Sequence, residues 1–178
     1  MQRTEDGQIV KLTDYRPTDF VLRGVDMTLR LFEGHADVVT ILAFERREGA
    51  AADAPLCLDG DELILESIAV DGEILPPSRY EATPDALVVS ELPESGGFEV
   101  RLETRIAPEE NTKLMGLFRS NGIWCTQCEA EGFRRITYFP DRPDVLAPYK
   151  VRIEAEKAVA PVLLSNGNPV EAGELADG

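Results

Sequence analysis

Histidine is almost missing from this sequence: one, His35, stands among 178 residues. Cysteine is scarce as well. Three cysteines, an odd number at low density, argue against a disulfide framework and fit a reducing compartment. Together the two shortages make a zinc site hard to assemble, because such a site needs four converging ligands. His35 falls in Phe32-Glu33-Gly34-His35-Ala36-Asp37, between two strand-like runs, and reads as an ordinary exposed turn residue. No apolar run approaches the ~20 residues of a membrane-spanning helix. Residues 1–14 lack the basic-then-apolar pattern of a signal peptide. Basic residues are outnumbered, 18 against 33 acids, for a net charge of −15. A chain so acidic repels phosphate backbones and anionic bilayers, which argues against nucleic-acid and membrane partners. An acidic field favours cationic ligands such as free amino termini, although solubility is the simpler reason for it. The expectation is a soluble, cytoplasmic protein.

What is abundant is alternation. Hydrophobic residues make up 43% of the chain, enough for one domain with a real core. Val25, Met27, Leu29 and Leu31 alternate with polar residues, and Val38 to Arg46 follows after a turn, so the two runs predict a long antiparallel hairpin. Leu56 to Leu58, Leu63 to Val70, Tyr80 to Ala82, Ala86 to Leu92, Phe98 to Ile106, Val151 to Lys157, Val162 to Ser165 and Val170 to Leu175 all read as strands. Asp71-Gly72 is a strong hairpin signal. Asn111 to Asn121 is less regular. The candidate helices are short: Arg142 to Ala147 and part of Glu129 to Arg135. The predicted fold class is all-β, an antiparallel open sandwich or open barrel. With no repeat and no long linker, residues 1–178 read as a single β-rich domain.

Simple fold-building does not explain Cys125 to Asp144, C-T-Q-C-E-A-E-G-F-R-R-I-T-Y-F-P-D-R-P-D. The Cys125-x-x-Cys128 pair suggests zinc or redox chemistry. A zinc ribbon would need a second pair, and a redox pair would want a helix start in a βαβ unit. Two small, mostly buried side chains are the better reading. If the chain stays extended past Gln127, then Gln127 and Glu129 point to one face. An amide oxygen beside a carboxylate can accept hydrogen bonds from an ammonium group. Surface polarity, with Gln127, Glu129 and Glu131 paired with Arg134 and Arg135, explains the same residues. Pro140 and Pro143 stiffen Tyr138 to Asp144, and Asp141 can cap a short turn ahead of Arg142 to Ala147. Such an element suits a contact with a neighbouring domain, or a well-tied loop.

C-T-Q-C-E-A-E-G-F-R, followed by I-T-Y-F-P-D-R-P-D-V-L, resembles the amino-terminal domain of the bacterial aminopeptidase N family, zinc enzymes with H-E-x-x-H and G-A-M-E-N motifs. Asp14-Tyr15-Arg16-Pro17 and Leu163-Leu164-Ser165-Asn166-Gly167-Asn168 resemble further landmarks in the right order. The resemblance implies a saddle-like β sheet or open sandwich that packs on a downstream catalytic domain of the same polypeptide. It also implies that Gln127 lines the pocket for the first side chain of a peptide substrate. Glu129 would hold that substrate's free α-amino group. Neither H-E-x-x-H nor G-A-M-E-N occurs here, so the zinc of the full-length enzyme, and its general base, are expected downstream of Gly178. The 178 residues alone are expected to carry no catalytic residue, bind no catalytic metal and cleave nothing. The alternative is a free-standing β-sandwich module for binding or scaffolding, with a Cys125–Cys128 redox protein a weak third.

Overall fold

The computed structural model of the chain describes residues 11–176. Among the described residues eleven strands form three sheets, and the only helical pieces are three single 3-10 turns, Leu12–Asp14, Pro77–Arg79 and Phe133–Arg135. The main sheet has six strands. It contains β1 (Phe20–Leu31), β2 (Ala36–Arg46), β4 (Ile64–Val70), β5 (Glu73–Ile74), β8 (Gly97–Ile106) and β11 (Tyr149–Ala155), in the order β11-β1-β2-β8-β4-β5. The second sheet has the order β3-β7-β6, with β3 Leu56–Asp59, β6 Tyr80–Thr83 and β7 Ala86–Val89. Two further strands, β9 (Gly116–Ser120) and β10 (Ile123–Gln127), stand as a hairpin of their own. All pairings are antiparallel except β1 with β11.

Alternation dictates the core. Val38, Leu42 and Phe44 on β2 oppose Thr104, Val100 and Phe98 on β8, all buried on one face. Leu56, Leu58, Leu87 and Val89 from the three-stranded sheet join the same cluster, which fills the space between the two sheets. Buried positions on β1 run 20, 22, then 25, 27, 29 and 31, a change from even to odd. A β-bulge between Leu22 and Gly24 absorbs the extra residue and keeps the apolar set facing inward.

Four expectations need correction. Arg142 to Ala147 forms one turn, Val145 N–H to Arg142 O at 3.1 Å, and no helix. Pro143 and Pro148 disfavour α conformation at the residues before them. The Asp141 carboxylate caps nothing downstream; it accepts hydrogen bonds from the Arg134 backbone N–H and Nε, both at 3.1 Å. Val162 to Ser165 and Val170 to Leu175 are not strands, because among the described residues no neighbouring strand pairs with them; Leu164 is 86% and Val170 94% exposed. Irregular Asn111 to Asn121 instead contributes β9. The expectations that rest on residues 1–10 lie outside the described residues.

Candidate functional site

The site begins with the β9–β10 hairpin, which contains the start of the Cys125 to Asp144 segment and packs through β9 against Phe133–Arg135. Asn121 and Gly122 turn the chain from β9 into β10 with φ of 50° and 81°. Both values are positive, as a type I′ turn requires. Gln127 is the last residue of β10 and pairs with Gly116. Extended structure stops there. Glu129 sits in the turn that follows, which closes through Gly132 N–H to Cys128 O at 2.9 Å, and the Glu129–Ala130 peptide is cis. Single-face alternation therefore does not carry Glu129 beside Gln127; the turn presents it. Both side chains are exposed. Among the described residues no side chain hydrogen-bonds or ion-pairs with either of them.

Two glycines make the turn possible. A Cβ on Gly132 would lie 2.5 Å from the Gln127 carbonyl oxygen and 2.8 Å from Cys128 Cα. A Cβ on Gly116 would lie 2.5 Å from Arg135 Cβ, and its φ of +73° is a second reason for glycine. Backbone therefore lies on backbone behind Gln127.

The neighbouring charges are satisfied elsewhere. Arg134 pairs with Asp141, and the Asp141 N–H donates to Asp59 Oδ2 at 3.1 Å. Phe139 and Asp59 exchange backbone hydrogen bonds of 2.8 and 3.0 Å, which rivets the segment to β3. Arg135 is 6% exposed and reaches Asp61 at 2.7 Å and Glu62 at 2.5 Å. Hydrogen bonds from Arg135 and Lys113 hold the Glu62 carboxyl below its ordinary value. Burial works against the Asp61 carboxylate, yet hydrogen bonds from Lys113 and Arg135 outweigh it and lower its pKa too. Of the pairings left open on the sequence, Glu131 lies 3.8 Å from Arg134 Nη2, while among the described residues neither Gln127 nor Glu129 pairs with Arg134 or Arg135.

Tyr138 and Phe139 are 1% and 3% exposed within this domain. The stiff aromatic segment is a well-tied internal loop here, with Tyr138 Oη donating to Thr83 O at 2.5 Å. Its far end meets the start of the chain: Tyr15 Oη donates to Asp144 Oδ2 at 2.8 Å, and Arg142 Nη2 to Arg16 O at 2.9 Å. His35 stacks on Phe32, with ring centroids 4.9 Å apart.

The three cysteines are free thiols, and burial pushes the Cys128 thiol up to about 11. Among the described residues no three His, Cys, Asp or Glu side chains converge as metal ligands, so the described residues do not fit a zinc centre. Sequence reasoning reached Gln127 and Glu129 but missed β10, Asn111 and Gly132. The Asn121-Gly122 pair was the signal that would have revealed the hairpin.

Residues 25–178 match the family model of the peptidase M1 N-terminal domain. Aminopeptidase N of Caulobacter vibrioides is 46% identical over 176 residues, 99% of this chain and 20% of that protein. The chain thus spans about a fifth of the length of the curated relatives it matches. Among solved structures, Legionella pneumophila aminopeptidase A in complex with aspartic acid superposes with a TM-score of 0.87 at 34% identity, over 94% of this chain and 20% of that one. An M1 zinc metallopeptidase from Deinococcus radiodurans shares the fold, with a TM-score of 0.65 at 19% identity over 78% of this chain and 33% of that one. A β-rich fold, a riveted Cys125 to Asp144 segment and these matches lead to one assignment: the chain belongs to the M1 peptidases, as the amino-terminal domain of the aminopeptidase N kind.

Proposed function

We propose that this chain is one domain, the amino-terminal module of a full-length zinc aminopeptidase, and that it supplies two contacts to a peptide substrate. Gln127 lines the recess for the first side chain, and Glu129 accepts hydrogen bonds from the free α-ammonium group. One observation carries the reading. Among the described residues no side chain partners Gln127 or Glu129, while the arginines beside them are paired with Asp141, Asp61 and Glu62, and both stand on a hairpin and turn whose backbone is fixed from behind. Polar groups held ready on a rigid element are what a binding site requires. A carboxylate facing an ammonium selects substrates with an unblocked amino terminus and places the first peptide bond.

The hydrolytic chemistry in this proposal belongs to a downstream catalytic domain that holds the zinc. That domain is the partner surface, and no catalytic step falls to this chain. The exposed Leu146, Val162, Leu164 and Val170 offer apolar area for such a contact. Three free thiols support a reducing, cytoplasmic setting.

The test is kinetic, on the full-length enzyme. Each lost charge-assisted contact is worth roughly 1.5–3 kcal/mol, so Glu129→Ala lowers kcat/KM on unblocked aminoacyl reporters about 10–150-fold. Gln127→Ala shifts the preference among first residues. Unchanged constants in both variants would refute the assignment of these two roles.

A further inference from the structure

We propose that Asn111 and Arg135 are positioning residues for Gln127: side-chain braces along the free edge of β9 that set the first-residue contact from behind. The inference rests on the reading of Gln127 given above and names what holds it in place. β9 and β10 form a sheet of two strands, and so small a sheet is marginal in water by itself. Among the described residues no strand bonds the carbonyl groups on the outer edge of β9. Side chains take that role. Asn111 Nδ2 donates to Met115 O at 2.7 Å and to Leu117 O at 2.8 Å. Arg135 Nε donates to Met115 O at 3.1 Å. Met115 and Leu117 flank Gly116, and Gly116 is the register partner of Gln127. The brace is one rung of the ladder away from the proposed substrate contact.

The brace is itself held. Asp61 and Glu62 grip the two outer nitrogens of Arg135. Lys113 Nζ lies 2.8 Å from Asp61 and 3.2 Å from Glu62. Asn111 Oδ1 accepts the Lys113 backbone N–H at 3.1 Å and lies 3.5 Å from Arg135 Nη2. The guanidinium is buried between two carboxylates and a carbonyl, with Nε and Nη2 hydrogen-bonded, unlike an exposed ion pair. The absence of a side chain on Gly116 lets the Arg135 stem lie directly against the strand. A recess that discriminates side chains needs its wall held to within about 0.5 Å, and this network supplies that rigidity.

The experiment uses the full-length, zinc-loaded enzyme and a series of aminoacyl 4-nitroanilides that differ in the first residue. Asn111→Ala is expected to flatten the first-residue preference as Gln127→Ala does. It lowers kcat/KM on the best substrate roughly tenfold, mainly through KM. Titration with a tight-binding inhibitor counts intact active sites, so unfolding cannot imitate the result. In the Asn111→Ala/Gln127→Ala double variant the loss beyond Gln127→Ala is less than about twofold, because both act on one contact. Arg135→Lys keeps more of the preference than Arg135→Met. Losses that multiply in the double variant, or an equal fall in kcat for every substrate at constant KM, overturn the inference. An unchanged preference in Gln127→Ala overturns the reading of the site, and the brace with it. A preference altered in Gln127→Ala but intact in Asn111→Ala and Arg135→Met overturns the brace alone.

Discussion

Gly132→Ala adds one methyl group where the molecule has no space. The new carbon would sit 2.5 Å from the Gln127 carbonyl oxygen, 2.8 Å from Cys128 Cα and 3.1 Å from Met115 Cε. Met115 can swing away; the other two atoms are backbone. Relief to ordinary van der Waals distance needs a backbone displacement of roughly 1 Å. Overpacking of this kind costs about 1–3 kcal/mol, which for a chain of this size is a fall in Tm of about 2–12 °C. The functional cost is expected to be larger in proportion. The displaced atoms belong to Gln127 and to the residue before Glu129, and a 1 Å misplacement of binding groups costs up to about 100-fold in rate. Thermal unfolding followed by circular dichroism reads the first effect, and kcat/KM of the full-length variant reads the second. Gly173→Ala is the control, since a Cβ there meets nothing within 4 Å. If Gly132→Ala matched that control in both Tm and kcat/KM, the claim that backbone contact fixes the turn would be wrong.

Acid should loosen the same region in a defined direction. Asp61 and Glu62 have pKa values below the ordinary carboxylate value of about 4. Their contribution is complete above that value and disappears as pH falls through the lower, folded values. Urea midpoints between pH 7 and pH 2.5 should therefore drop below about pH 4, and less steeply for Arg135→Met; parallel curves would refute the link. With its thiol pushed up to about 11, Cys128 is only ~0.1% thiolate at pH 8 and should resist alkylation in the folded chain. Mass spectrometry after a short iodoacetamide pulse checks this, and rapid labelling of Cys128 would count against the burial seen here.

Where one face of a strand meets the core, the fold was legible in the sequence. β1, β2 and β8 alternate along nearly their whole length, and each lies near its partner in the chain or against it in register. The hairpin that carries Gln127 was not read, because its burial pattern has no clean period of two. The last predicted strands failed for the opposite reason: alternation was present, but strand pairing is a property of two segments, and among the described residues no strand pairs with Val162 to Ser165. Gln127 and Glu129 could be singled out only through resemblance to a family, since exposed polar residues near arginines fit a plain surface equally well. Asn111 and Arg135 stand 24 residues apart in sequence, and no local pattern announces that they share a carbonyl.

The parallel seat of β11 beside β1 has a consequence for the birth of the chain. Arg30 and its partner Glu154 are 124 residues apart in sequence. A ribosome adding roughly 5–20 residues per second needs on the order of 6–25 s to make that interval. For that time one long edge of the sheet is open to any stray strand, including its own copy on a neighbouring nascent chain. The outward residues along that edge include Asp26 and Arg30, charges that later pair with Lys150 and Glu154. Before β11 arrives, they act as gatekeepers that make a wrong partner unwelcome.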